Sequence, residues 1–197
     1  MEHIYCAGRS ERTLLVCHGT GGDENSLLWL ADALDPEANV LSPRGQVMER
    51  GMPRFFRRFA EGVFDLEDVR ARCKEMSVFV TWAAREYGFS ADHVVGVGYS
   101  NGANILLQTL LLHPQTLAAV AAFRAMVVLE DVGTPNLEGK PVFLSEGLHD
   151  PIVPVENAER LAAQLQGFGA NVSLNWHEGG HDLARGEIIA AQLWLAQ

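Results

Sequence analysis

Short, almost unbroken apolar runs alternate along the chain with longer stretches in which apolar residues recur every three or four positions. The first run is Thr13-Leu14-Leu15-Val16-Cys17, closed by His18-Gly19. An apolar run without polar alternation is what a parallel strand covered on both faces requires. Leu27, Leu30, Ala31 and Leu34 then keep helical spacing, and Asn39-Val40-Leu41 is a second extended piece that stops at Pro43. Leu66, Val69, Cys73, Met76, Val80, Ala83 and Tyr87 mark one face of a long helix. The next strand, His93 to Tyr99, runs through Gly98 to Gly102 into a helix over Ala103 to Leu112 that halts near Pro114. Strands at Leu117 to Ala122, Pro141 to Ser145 and Val172 to Trp176 follow, with a helix from Val155 to Gln166 between the last two and a closing helix after Asp182.

This alternation predicts an α/β fold, a mainly parallel sheet flanked by helices on both faces, with functional groups at the strand C-terminal ends. The length, 197 residues, fits a single domain over residues 1–197. One connection breaks the rhythm. Arg44 to Asp65 is punctuated by Gly45, Gly51, Pro53 and Gly62, and loops of this length are commonly functional, so it is expected to cover a site. Hydrophobic residues at 48% exclude a disordered chain, and a net charge of −10 argues against nucleic acid or an anionic membrane surface as partner. Three cysteines without paired spacing fit reduced thiols in a cytoplasmic protein. The most apolar region, Leu117 to Leu129, is interrupted by Arg124 and too short to span a bilayer.

Chemistry concentrates first at Gly98-Tyr99-Ser100-Asn101-Gly102, between a strand and a helix. Flanking glycines permit the tight, strained turn that leaves a serine hydroxyl exposed above a sheet. At this glycine content the bare pattern arises by chance only roughly 0.07 times, so it carries weight. A serine needs a base, and the base needs a carboxylate to hold its tautomer. Asp150 follows one strand in Glu146-Gly147-Leu148-His149-Asp150-Pro151, and His181 follows the next in Glu178-Gly179-Gly180-His181. The order Ser, Asp, His is that of an α/β hydrolase, and the three residues are expected on loops after successive strands. The competing readings make Asp150 and His181 helix caps, and Gly98 to Gly102 a plain turn.

His18-Gly19-Thr20-Gly21-Gly22 offers backbone N–H groups for a developing oxyanion, so the Thr20 and Asn101 amides are the expected donors. His18 is read as a brace for that loop. His177-Glu178-Gly179-Gly180-His181 matches a zinc-protease signature, but that signature works on a helix. Two interior glycines at ~1 kcal/mol each argue against one, so no metal is expected and His177 reads as a strand-end residue. Arg54, Arg57 and Arg58, interleaved with Phe55, Phe56 and Phe59, are candidate substrate-binding residues. Their rival reading is an amphipathic surface helix with its phenylalanines inward.

Together, His18-Gly19-Thr20-Gly21-Gly22-Asp23-Glu24, Gly98-Tyr99-Ser100-Asn101-Gly102-Ala103, Gly147-Leu148-His149-Asp150-Pro151-Ile152-Val153-Pro154 and Gly180-His181 resemble the phospholipase/carboxylesterase family of α/β hydrolases, which includes acyl-protein thioesterases. Ser42-Pro43-Arg44-Gly45 and Gly51 to Arg58 look like its MhqD-like branch of small bacterial carboxylesterases. The resemblance implies an α/β-hydrolase fold without a separate cap domain, no cofactor, often a homodimer, and Ser100, Asp150 and His181 as the triad. It departs from acyl-protein thioesterases, which have leucine at the position of Thr20 and glutamine at that of Asn101, and this argues against lipidated proteins as substrates. The expected activity is carboxylesterase cleavage of a small-molecule ester through an acyl-enzyme. Alternatives are a thioesterase or lactonase on the same triad, or a catalytically silent binding protein of the same fold.

Overall fold

The computed structural model describes residues 1–197. A seven-stranded sheet forms the centre, in the order β1-β3-β2-β8-β9-β10-β11. Its strands are β1 (His3–Cys6), β2 (Thr13–Cys17), β3 (Asn39–Pro43), β8 (Val94–Tyr99), β9 (Ala119–Phe123), β10 (Pro141–Gly147) and β11 (Asn171–His177). All neighbours run parallel except β1, which pairs antiparallel with β3. Five helices cover the sheet: α1 (Leu28–Leu34), α2 (Leu66–Tyr87), α3 (Asn101–Leu112), α4 (Val155–Gly167) and α5 (Arg185–Leu195). No helix is long and apolar enough to cross a membrane.

The unbroken apolar runs are explained by two cores. Along β2, Leu14 and Val16 join Leu30, Ala31 and Leu34 of α1 and Ala191 and Leu195 of α5. Leu15 and Cys17 point the other way, into the larger core with Val69, Met76, Ile105, Leu107 and Leu161 of α2, α3 and α4. Both faces of the strand are therefore apolar because each meets a helical layer. The long helix begins and ends by local chemistry. The Asp65 side chain accepts the Asp68 N–H at 3.1 Å, and Gly88 closes the helix at φ 76° with its N–H on the Ala84 carbonyl.

Two features depart from the sequence reading. The short, half-buried edge strand β1 carries too little apolar pattern to register as a run. The Arg44 to Asp65 connection is neither a loose loop nor, around Arg54 to Phe59, an amphipathic helix. It forms two hairpins, β4 (Val47–Glu49) with β5 (Met52–Arg54) and β6 (Arg58–Ala60) with β7 (Val63–Phe64). The first turn is Arg50-Gly51, both at positive φ (51° and 83°), the conformation a two-residue hairpin loop favours. Pro53, which has no N–H to give a helix, lies in β5.

Candidate active site

β8 delivers the chain to Ser100, and α3 begins immediately after it. Ser100 sits at φ 52° and ψ −115°, strained for a residue with a side chain, and its N–H donates to the Phe123 carbonyl at 2.8 Å. The flanking glycines are required by packing. A Cβ on Gly98 would lie 2.6 Å from the Ala103 nitrogen, and one on Gly102 would lie 2.6 Å from the His18 oxygen and closer still to the Cys17 carbonyl. These obstacles are backbone and cannot swing aside. Gly102→Ala is therefore expected to destabilise the fold by about 3 kcal/mol, the upper part of the ordinary overpacking range. Thermal melting should show a fall of about 6–12 °C for a chain of this size.

The other two residues reach Ser100 from neighbouring loops. His181 Nε2 lies 3.0 Å from Ser100 Oγ, and its Nδ1 lies 2.7 Å from Asp150 Oδ2. The Asp150 side chain is fully buried, and its other oxygen accepts the N–H groups of Ile152 (2.7 Å) and Val153 (3.1 Å). The loops follow β8, β10 and β11, so the expectation of successive strands fails at one place. β9 intervenes, and its end supplies Arg124, a residue the sequence reading noticed only as an interruption of an apolar stretch. Arg124 is a non-glycine residue at φ 59°, its side chain is fully buried, and its guanidinium pairs with Glu187 at 2.7 Å. Burial works to raise the Glu187 pKa, yet the hydrogen bonds from Arg124 and Ser145 hold it below its ordinary value. Nearby Glu146 is pushed well above the carboxylate range by burial, with Oε1 on the Ala125 N–H and Oε2 unpartnered.

Opposite His181 lies the loop after β2. His18 accepts the Gly45 N–H on Nε2 at 3.0 Å, so its Nδ1 carries the proton donated to the Gly19 carbonyl at 2.7 Å. Burial lowers its pKa, which keeps it neutral in this bracing role. The Thr20 N–H donates to no protein group, and Asn101, as the first residue of α3, has no intrahelical acceptor. The hairpin segment stitches this loop and the elbow together. Gly21 N–H donates to Pro53 O at 2.9 Å, Arg54 Nη1 to Thr20 Oγ1 at 2.6 Å, and Phe55 N–H to Asn101 Oδ1 at 2.7 Å. The odd connection thus borders the site, as its length led one to expect.

Between these parts lies a cleft of about 240 Å³, lined by Ser100, His181, Thr20 and Asn101 and walled by Arg54 and Arg58. Burial, aided by the neighbouring charge of Arg58, lowers the Arg54 pKa to about 10, so it remains a cation at neutral pH. Both guanidiniums share Glu49, at 3.3 Å and 3.0 Å, and Glu61 stands 3.8 Å from Arg58 on the rim. Arg57 does not belong with them. Its side chain turns outward to Asp65 at 3.0 Å and is absent from the cleft wall.

His177 ends β11, as its strand-end reading requires, and its Nε2 faces the Arg124 guanidinium while His181 faces Ser100 and Asp150. No helix brings the two imidazoles to one face, so the five-residue zinc-protease pattern is not displayed as that chemistry needs.

The phospholipase/carboxylesterase family model matches residues 2–196. The putative hydrolase MhqD of Bacillus subtilis strain 168 is 42% identical over 197 residues, covering 100% of this chain and 98% of the relative. A carboxylesterase of Bacillus cereus has 44% identity and a TM-score of 0.95, covering 98% of this chain and 92% of that one. YahD, solved with malic acid, has 32% identity and a TM-score of 0.91 over 98% of this chain and 97% of its own.

Proposed function

This chain belongs to the phospholipase/carboxylesterase family, and from that premise we propose that it is a serine hydrolase that cleaves small carboxylic esters through an acyl-enzyme. The observation that carries the proposal is the continuous contact from Ser100 Oγ through His181 to Asp150 beside an open cleft. Ser100 Oγ bonds to the ester carbonyl carbon as its proton passes to His181 Nε2. Asp150 holds the imidazole tautomer and stabilises the imidazolium. The Thr20 and Asn101 N–H groups stabilise the oxyanion, reinforced by the positive N-terminal end of α3. Collapse of the tetrahedral intermediate breaks the ester C–O bond, and the leaving alkoxide takes the proton from His181. Water, deprotonated by the same imidazole, then attacks the acyl carbon and frees Ser100 with its proton restored. A fluorophosphonate probe is expected to add once per chain, on Ser100, as read by peptide mass spectrometry. A parent protein left unlabelled while folded overturns this reading.

The cleft also suggests a substrate class. It is small, and although Glu49 offsets both wall arginines and Glu61 stands on the rim, Arg58 spends only its Nε on Glu49, which leaves its Nη groups to meet an ester bearing a carboxylate. YahD was solved with malic acid, a dicarboxylic acid, which supports a carboxylate-bearing ligand for this chain. Removing one charge-assisted hydrogen bond costs about 1.5 kcal/mol or more. For Arg58→Gln, kcat/KM for a carboxylate-bearing ester relative to its neutral analogue is therefore expected to fall about tenfold. Arg57→Gln, altered outside the cleft, should leave that ratio in place. Equal ratios for parent and Arg58→Gln remove the carboxylate preference without touching the hydrolase reading.

A further inference from the structure

The loop that carries His181 has no regular structure, lying between the end of β11 and the start of α5. A base must nevertheless be placed to within a fraction of an ångström, so something outside the loop has to hold it. Three successive carbonyls of that loop are gripped by side chains from the sheet. Arg124 Nε donates to Gly180 O at 3.0 Å, the Tyr99 hydroxyl to His181 O at 3.0 Å, and Arg124 Nη2 to Asp182 O at 2.6 Å. We propose that Arg124, with the Tyr99 hydroxyl beside it, is the brace that positions His181 between Asp150 and Ser100. The inference rests on the serine-hydrolase reading above.

The construction of Arg124 fits this use. Its remaining donors are occupied by Ser145 O at 2.9 Å and by both Glu187 oxygens at 2.7 Å, and Nη2 also meets His177 Nε2, so the guanidinium plane is fixed from behind by β10, β11 and α5. Glu187 is itself anchored by the Ser145 hydroxyl at 2.6 Å and by the Ala184 N–H. A planar five-donor fork held this way aims two N–H groups at carbonyls flanking one residue, which a lysine ammonium has no geometry to reproduce. The left-handed backbone of Arg124 costs of order 1–3 kcal/mol in a non-glycine residue and points to a position kept for its side chain. Arg124 Nε also stands 4.0 Å from Asp150 Oδ2, so its charge acts on the Asp–His pair as well as on the loop. The other titratable groups around that pair are Tyr99 on β8, Glu146 on β10, whose carboxyl burial pushes upward, His177 at the end of β11, Asp182 and Glu187. Loss of the Arg124 charge leaves their balance more negative and favours the protonated imidazole.

The test compares Arg124→Lys, Arg124→Met and Tyr99→Phe with the parent, using kcat per active site titrated by the fluorophosphonate, over a range of pH. Titration is carried to completion for each variant, so that expressing rates per titrated site removes loss of folded protein from the comparison without absorbing a slower labelling rate. For Arg124→Met the expected loss is about 100-fold, the cost of a roughly 1 Å misplacement, with the rising limb of the profile moved to higher pH. Arg124→Lys should lose activity while keeping the parent's midpoint, because it retains the charge without the fork. Tyr99→Phe is expected to fold normally and to lose about tenfold. Rates per site within twofold of the parent in the folded variants, with no shift of the midpoint, overturn the brace. Should both Arg124 variants fail to fold, an undiminished Tyr99→Phe overturns it alone. Failure of the parent to label at Ser100 strikes the underlying reaction instead, and is seen before any variant is compared.

Discussion

Ser100→Ala is expected to lower kcat for an activated ester by at least about 10⁴-fold while leaving the melting temperature within a few degrees of the parent. The loss follows because His181 would have no hydroxyl to deprotonate, and water at that position is neither covalently held nor aligned. The stability follows from what the serine side chain touches. Its only hydrogen bond is to His181, whereas the elbow is held by backbone bonds, Ser100 N–H to Phe123 O and Asn104 N–H to Ser100 O. Residual turnover above water is expected from the Thr20 and Asn101 amides and the cleft, because stabilisation of the oxyanion does not need the nucleophile. Ester hydrolysis followed with purified protein, and mass spectrometry of the probe adduct, check both halves. Full turnover in Ser100→Ala removes the proposed mechanism.

What the sequence made legible, and what it did not, divides by the range of the interactions. The runs at Thr13 to Cys17 and His93 to Tyr99 were readable because both faces of a central strand meet helices, so their middle residues, Leu14 to Cys17 and Val94 to Gly98, are apolar without alternation. The elbow was readable because backbone crowding around Gly98 and Gly102 excludes every side chain, which leaves a mark in the local sequence. Asp150 and His181 were readable through their order and their place after strands. Arg124 escaped because its meaning lies in residues far along the chain. A charge inside an apolar stretch is ambiguous until Glu187, Gly180 and Asp182 are seen to surround it. The hairpins escaped for a related reason. β4 to β7 have two or three residues each, too few for a periodicity to declare itself, and only Arg50-Gly51 and Glu61-Gly62 mark their turns. Among the three arginines, spacing alone did not separate Arg57 from Arg54 and Arg58. The pairing of Arg57 with Asp65, the residue that caps α2, turns it away from the cleft.

Asp150→Asn is expected to be nearly as damaging as loss of the serine, about 10⁴-fold in kcat, although it changes one atom. The geometry dictates how. Asp150 Oδ1 accepts two backbone N–H groups, from Ile152 and Val153, and an amide nitrogen placed there would oppose both donors. An asparagine must therefore keep its oxygen in that position and turn its NH₂ toward His181 Nδ1, where the carboxylate now accepts at 2.7 Å. Facing a donor, Nδ1 becomes the acceptor, and the imidazole proton moves to Nε2, the nitrogen 3.0 Å from Ser100 Oγ. In that tautomer His181 has no lone pair with which to take the serine proton. Arg124 and Tyr99 would still hold the loop, so the ring remains in place while presenting the wrong nitrogen. A folded Asp150→Asn protein should consequently react with the fluorophosphonate several orders of magnitude more slowly than the parent, with an unchanged melting profile. Recovery at high pH is expected to be partial, through direct ionisation of the serine or attack by hydroxide. A variant that labels Ser100 at the parent rate would mean that Asp150 does not control the tautomer, and the assignment of the base would have to be redrawn.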